Sequence, residues 1–206
     1  MTARAPVIVP AVVVTAAVFL AVAWFFTAAV FAGAAVSPAA NVFVAVAVLY
    51  FAVISVALSL IDLKTHRLPN AIVLPSYLVS FLLLTLACVL GGDWTALLRA
   101  AIAMVVLFAF YALLRAIRPD GMGGGDVKLA GLIGIQLGWF GAGSVIVGTL
   151  AAFVLGGLFG IVLLLSRRAG RRTAIPFGPW MLAGAWVGIA AGEPISSWYT
   201  RLLVGA

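Results

Sequence analysis

The amino-acid sequence predicts an all-α polytopic membrane protein with about seven transmembrane helices. Hydrophobic residues make up 66% of the 206 positions, charged residues only 8%, and the apolar residues fall in long runs. A soluble domain carries roughly a quarter charged residues, and a helix that crosses a bilayer needs about 20 apolar ones. Because backbone inside a bilayer must satisfy its own hydrogen bonds, each run is predicted to be a helix.

The apolar runs define the predicted spans in order. They cover residues 6–34, 41–61, 71–90, 96–117, 127–143, 144–166 and 174–191. The first run resembles a signal peptide but is too long for one, so residues 1–50 are interpreted as a retained first helix and its loop. The fifth run is short and glycine-rich, and only Gly141-Ala142-Gly143-Ser144 separates it from the sixth. A single bent segment is the alternative there.

The loop charges predict the orientation of these spans. With a cytoplasmic N-terminus, ten of the twelve basic residues lie inside, as the positive-inside rule favours. The inside set comprises Arg4, Lys64, Arg67, Arg115, Arg118, Lys128, Arg167, Arg168, Arg171 and Arg172, and the outside set Arg99 and Arg201. The C-terminus is then outside. The cluster Arg167–Arg172 is expected to attract anionic lipid headgroups.

Charge and cysteine content exclude several classes of function. In a soluble protein the net charge of +7 would suggest nucleic acid, but here the basic residues sit in short loops and set topology, so no nucleic-acid partner is expected. The single cysteine, Cys88, rules out a disulfide within the chain and a Cys-based metal site. His66 is the only histidine, and neither a metal nor a cofactor is expected.

Two of the five acidic residues stand apart from the others. Asp93 and Glu193 are expected in solvated outside loops, and Asp120 in a turn. Asp62 ends the second span and Asp126 opens the fifth, directly after a glycine run, so the topology places both at one depth on the cytoplasmic side. A carboxylate at the hydrocarbon boundary is costly to keep, which makes this pair a functional hypothesis.

The pair indicates a specific chemistry. Two carboxylates that meet across helices share one proton and titrate as a unit. One then activates a water as general base while the other protonates a carbonyl, as in an aspartic peptidase. Structural alternatives remain open: Asp126 as a helix N-cap, and Asp62 as a surface residue paired with Lys64 or Arg67. The second alternative is weaker because a negative charge at a helix C-terminus is unfavourable.

Three segments resemble one known family, the type IV prepilin peptidases. Gly123-Gly124-Gly125-Asp126 resembles the family's Gly-x-Gly-Asp motif. The segment Asp62-Leu63-Lys64-Thr65-His66-Arg67-Leu68-Pro69-Asn70 is similar to a second motif, with leucine in place of the usual isoleucine before Pro-Asn. Ala174-Ile175-Pro176-Phe177-Gly178-Pro179 is similar to a third. The resemblance covers residues from about 55 to 190 of a single predicted domain, 1–206.

The resemblance implies a membrane aspartic endopeptidase with Asp62 and Asp126 as its catalytic pair. Such enzymes remove the basic leader of prepilins or pseudopilins at the cytoplasmic face of a bacterial or archaeal membrane. Residues that the motifs place beside the pair are expected to shape the site or bind substrate: Gly123, Gly125, Lys128, Pro69, Asn70, Pro176 and Gly178. Longer members carry a Cys-x-x-Cys region and methylate the new amine, so methyltransferase activity is expected to be absent here.

Two other functions fit parts of the pattern. A proton-coupled transporter would use membrane aspartates as a proton relay, although relay carboxylates tend to lie deeper and no inverted repeat is visible. An intramembrane peptidase of the presenilin type shares a Gly-x-Gly-Asp element and would cut within the substrate's own membrane span.

Overall fold

The computed structural model describes residues 37–119, 122–165 and 176–205, and the secondary structure within them is helical. The helices are α1 (Pro38–Thr65), α2 (Asn70–Gly91), α3 (Trp94–Ile117), α4 (Gly124–Phe140), α5 (Ala142–Leu165) and α6 (Gly178–Val204). They correspond in order to the second through seventh predicted spans. The first predicted span, the cluster Arg167–Arg172 and Asp120 lie outside the described residues.

Four of these helices are long and apolar enough to cross a membrane: α1, α2, α3 and residues Ala142–Val162 of α5. Their outward surfaces carry large apolar side chains that would be costly in water, such as Leu78, Val89 and Val154, each more than 60% exposed. Apolar surface of this kind is stable in contact with lipid. The chain is therefore a polytopic membrane protein, and its described secondary structure is helical.

Helix α4 lies at the centre of the described helices. It packs against α2, α3, α5 and α6, and most of its residues between Asp126 and Gly138 are buried. Its neighbours approach closely because of its glycines: a Cβ atom on Gly134 would lie 2.5 Å from the carbonyl oxygen of Ala103 in α3. The short, glycine-rich composition of the fifth predicted span therefore reflects contact with protein rather than with lipid.

Helices α5 and α6 form the most extensive helix pair, and glycines line their contact. Gly184, Gly188 and Gly192 recur every four residues along α6. A Cβ atom on Gly184 would lie 2.4 Å from the backbone nitrogen of Ala152, and one on Gly192 would lie 2.4 Å from Cα of Ser144. Small residues at this spacing let two helix backbones approach closely, which is how membrane helices gain packing energy.

The helix ends are set by a few local contacts. Asp93 is exposed, as predicted, and caps α3 by accepting the Ala96 N–H at 3.0 Å. Gly92 ends α2 at φ +80° and Gly141 stands alone between α4 and α5 at φ +140°, backbone regions that L side chains rarely adopt. The fifth and sixth predicted spans are therefore separate helices and not one bent segment.

One sequence-based prediction about the last helix was wrong. Glu193 was expected in a loop after the seventh span, but α6 continues through Pro194 to Val204. Glu193 is exposed on this helix, and its Oε1 accepts the Gly143 N–H at 2.9 Å, in the first turn of α5. A carboxylate there is stabilised by the free N–H groups of the helix N-terminus. This tertiary contact favours helical structure where Pro194 alone indicates a helix end.

We expect Gly184→Ala to destabilise the protein by about 1–3 kcal/mol, because the added methyl group meets rigid backbone of α5. The matched control is Gly157→Ala, since a Cβ atom at that helical position meets nothing within 4 Å. The control should be neutral or stabilising by up to about 1 kcal/mol. Thermal unfolding in detergent measures both, and equal melting temperatures for the two variants would contradict the tight α5–α6 packing.

Candidate active site

Asp62 lies in the last turn of α1 and is only 4% exposed. Its Oδ2 accepts the backbone N–H of Gly178 at 3.1 Å. Gly178 is the first residue of α6, so this N–H is one of those left without a partner inside its own helix. The C-terminal end of α1 disfavours a negative charge, while the N-terminal end of α6 favours it. The alternative of an Asp62 on the surface, paired with Lys64 or Arg67, was wrong, because Asp62 is buried and bonded to a helix N-terminus.

Asp126 is the third residue of α4 and is 8% exposed. Its Oδ2 accepts the backbone N–H of Gly123, the N-cap residue, at 3.1 Å. The carboxylate therefore reaches back over the start of its own helix, as the third residue of a capping box does. The alternative that Asp126 is itself the N-cap was wrong by three positions, although the capping interaction is present.

Leu68 joins the two carboxylate-bearing regions. It follows α1, is buried, and its side chain lies against the first turns of two helices. A Cβ atom on Gly125 would lie 2.8 Å from Cβ of Leu68, and one on Gly178 would lie 3.6 Å from its Cδ1. The N-termini of α4 and α6 thus converge on one leucine, which brings Asp62 and Asp126 to the same end of the molecule.

The two carboxylates interact electrostatically. Burial raises the pKa of Asp126, which lies just ahead of the predicted span 127–143, to about 6, and the negative charge of Asp62 adds to the rise. The Gly123 N–H acts in the opposite direction. A carboxyl group with a pKa near 6 exchanges its proton close to neutral pH, as a general acid or base must.

Lys128 and Asn70 are hydrogen-bonded to each other and not to Asp62 or Asp126. Lys128 Nζ donates to Asn70 Oδ1 at 2.9 Å, and the Tyr77 hydroxyl donates to the Lys128 carbonyl oxygen. Side chains two positions apart on a helix differ by about 200° in direction. Lys128 therefore lies on a different face of α4 from Asp126. These bonds tie α2 to α4 beside the site. Among the other predicted residues, Pro69 is the N-cap of α2 and Pro176 lies two positions before α6.

An aromatic cluster beside Asp126 was not predicted. Tyr111 stacks on Phe153 with ring centroids 5.7 Å apart, and Phe153 lies 5.5 Å from Phe177. Tyr111 is close enough to Asp126 to interact with its charge, and Phe177 directly precedes Gly178. Aromatic residues within apolar spans carry no sequence signal that separates a site wall from a lipid-facing surface.

Comparisons with known proteins give one family match and several similar relatives. The model of the type IV leader peptidase family matches residues 49–161. Three relatives named prepilin leader peptidase/N-methyltransferase come from Pseudomonas putida, Aeromonas salmonicida and Bacillus subtilis. They are 38%, 34% and 31% identical over 71%, 77% and 76% of this chain, and over 50%, 53% and 62% of their own lengths. The chain thus spans about half the length of the first two. No solved structure matches it.

We expect Asp62→Asn to lower the pKa of Asp126 from about 6, because a neutral amide removes the charge that opposes its ionisation. Carbon-13 NMR of protein labelled at aspartate carboxyls follows the titration, and the chain has only four aspartates to assign. Asp93→Asn is the control, since Asp93 lies at the far end of α2. An unchanged Asp126 titration in Asp62→Asn would contradict the coupling.

Proposed function

The chain belongs to the type IV leader peptidase family, and we propose that it is a membrane aspartic endopeptidase that removes the basic leader of prepilins or pseudopilins. One observation supports this most strongly: Asp62 and Asp126 are buried at the N-termini of α6 and α4, and their charges interact. The names of the relatives support the substrate class.

In the proposed mechanism the two carboxylates hold one proton between them. Asp126 holds it, because burial and the charge of Asp62 raise its pKa, and the ionised Asp62 is stabilised by the Gly178 N–H at the N-terminus of α6. Asp62 takes a proton from a water, which attacks the scissile carbonyl carbon. Asp126 donates its proton to the carbonyl oxygen as the tetrahedral intermediate forms. When the C–N bond breaks, Asp62 gives the leaving amine the proton it took from water, and Asp126 regains a proton from a hydroxyl of the intermediate.

The site is proposed to face the cytoplasm of a bacterial or archaeal cell, in a chain of seven spans with its N-terminus inside and C-terminus outside. Exposed basic residues at the same end support this orientation by the positive-inside rule: Lys64, Arg67 and Arg115. The opposite end carries Asp93 and Arg99. We propose one peptidase domain over residues 1–206, with the motifs between about 55 and 190.

The relatives' names join peptidase and N-methyltransferase activities, and only the peptidase activity is proposed here. We expect no transfer of a labelled methyl group from S-adenosylmethionine to the amine that cleavage releases. A labelled product would contradict this expectation and leave the peptidase proposal intact.

We expect Asp62→Asn and Asp126→Asn each to lower the cleavage rate of a prepilin in liposomes by roughly a hundred- to ten-thousandfold, the contribution of a positioned acid or base. Asp93→Asn should retain the wild-type rate. Mass spectrometry of the product should place the cut at the junction of leader and apolar helix. Near wild-type turnover by either Asp62→Asn or Asp126→Asn would overturn the two-carboxylate mechanism, and a cut inside the apolar helix would favour a presenilin-type peptidase.

Adjacent glycines before Asp126 are expected to differ in their tolerance of alanine. A Cβ atom on Gly125 would meet Cβ of buried Leu68 at 2.8 Å, whereas one on Gly124 would meet the end of the exposed Arg115 side chain at 2.4 Å. The end of the Arg115 side chain can move aside, whereas Cβ of Leu68 is fixed to the backbone. Gly125→Ala should lower kcat by up to roughly a hundredfold, because it displaces the carboxylates from each other, and Gly124→Ala should stay near wild type. Equal rates for the two variants would contradict the role of the Gly125–Leu68 contact in positioning the carboxylates.

A further inference from the structure

Three polar residues form one stripe along the C-terminal half of α1. Ser55, Ser59 and Asp62 are spaced at i, i+4 and i+7, so they share a helix face. Ser55 accepts the indole N–H of Trp186 at 3.3 Å, and Asp62 accepts the backbone N–H of Gly178 at 3.1 Å. Both donors belong to α6. Helices α1 and α6 are therefore antiparallel along this stripe, with Ser59 between the two contacts.

Ser59 differs from two other buried serines and one half-buried threonine in these helices. Ser55 and Ser76 each donate to the carbonyl oxygen four residues earlier at 2.6 Å, and Thr149 does so at 2.7 Å. Ser59 is 2% exposed, and among the described residues its Oγ has no hydrogen-bond partner. A buried hydroxyl without a partner is costly and calls for an explanation.

The register between α1 and α6 explains why α6 provides no hydrogen-bond partner for Ser59. By the register of these two contacts, position 59 falls between the levels of Gly178 and Trp186, and the intervening Met181 and Leu182 are buried and apolar. The polar side chain within one turn of Ser59 toward the site is Asp62 at i+3. Its Oδ2 already accepts the Gly178 N–H, and among the described residues no hydrogen bond to its Oδ1 is present.

We propose that Ser59 is a positioning residue of the active site, acting through Asp62. This inference rests on the proposed peptidase function. During the reaction the Ser59 hydroxyl turns from its unpaired position and donates to the ionised Asp62 carboxylate, a strong acceptor. With one oxygen held by Gly178 and a second donor from Ser59, the carboxylate is fixed in the orientation that takes a proton from water.

The test is steady-state cleavage of a prepilin by wild type, Ser59→Ala and Ser59→Thr, with melting temperatures measured on the same preparations. We expect Ser59→Ala to lower kcat by roughly ten- to a hundredfold, the worth of a hydrogen bond to a charged group, with KM unchanged. The melting temperature should not fall and should rise slightly, because the deleted oxygen is buried without a partner. Ser59→Thr keeps the hydroxyl and should restore most of the lost kcat.

Ser76→Ala is the matched control, because Ser76 is equally buried but bonded to the Ile72 carbonyl oxygen and to Tyr50. It should show the reverse pattern, a lower melting temperature with kcat unchanged. Wild-type kcat in Ser59→Ala would overturn the proposal for Ser59, as would a Ser59→Thr that is folded and as slow as Ser59→Ala. A wild-type protein that cleaves no prepilin would instead refute the peptidase function on which the proposal rests.

Discussion

The hydrogen bond from the Gly178 N–H to Asp62 joins residues 116 positions apart, and the proposed chemistry depends on it. Asp62 ends a helix whose own dipole opposes a negative charge, in surroundings that leave it 4% exposed. The N-terminus of α6 supplies both a donor and a favourable dipole. Without that helix end, the carboxylate would be a buried acceptor with no partner, and it would hold its proton instead of taking one from water.

Bringing three helix ends to one point requires backbones to approach closely, and the glycines make this approach possible. In α4, Gly134 and Gly138 let the central helix lie against α3, and in α6 the glycines at 184, 188 and 192 let it lie against α5. At the site itself, Gly125 and Gly178 leave room for Leu68 and for the Asp62 carboxylate. One packing principle therefore serves both membrane-helix association and the geometry of the carboxylate pair.

Much of the helix order and the candidate pair could be predicted from the sequence, since both depend on local signals. Apolar runs, basic loops and the glycines before Asp126 mark where helices begin and end. The partners of the side chains could not be predicted in the same way, because they depend on how helices are rotated against each other. Lys128 faces Asn70 and not Asp126, and Glu193 lies on a helix that continues past Pro194 to reach the N–H of Gly143.

In the proposed mechanism Asp62 and Asp126 act together on one reacting carbonyl. The most direct test is an experimental structure of the protein bound to a prepilin peptide in which a hydroxyethylene group replaces the scissile amide. The hydroxyl should lie within hydrogen-bond distance of both carboxylates, roughly 2.6–3.2 Å between oxygen atoms. A bound peptide whose hydroxyl contacts only one of the two aspartates, or neither, would contradict the shared-proton mechanism.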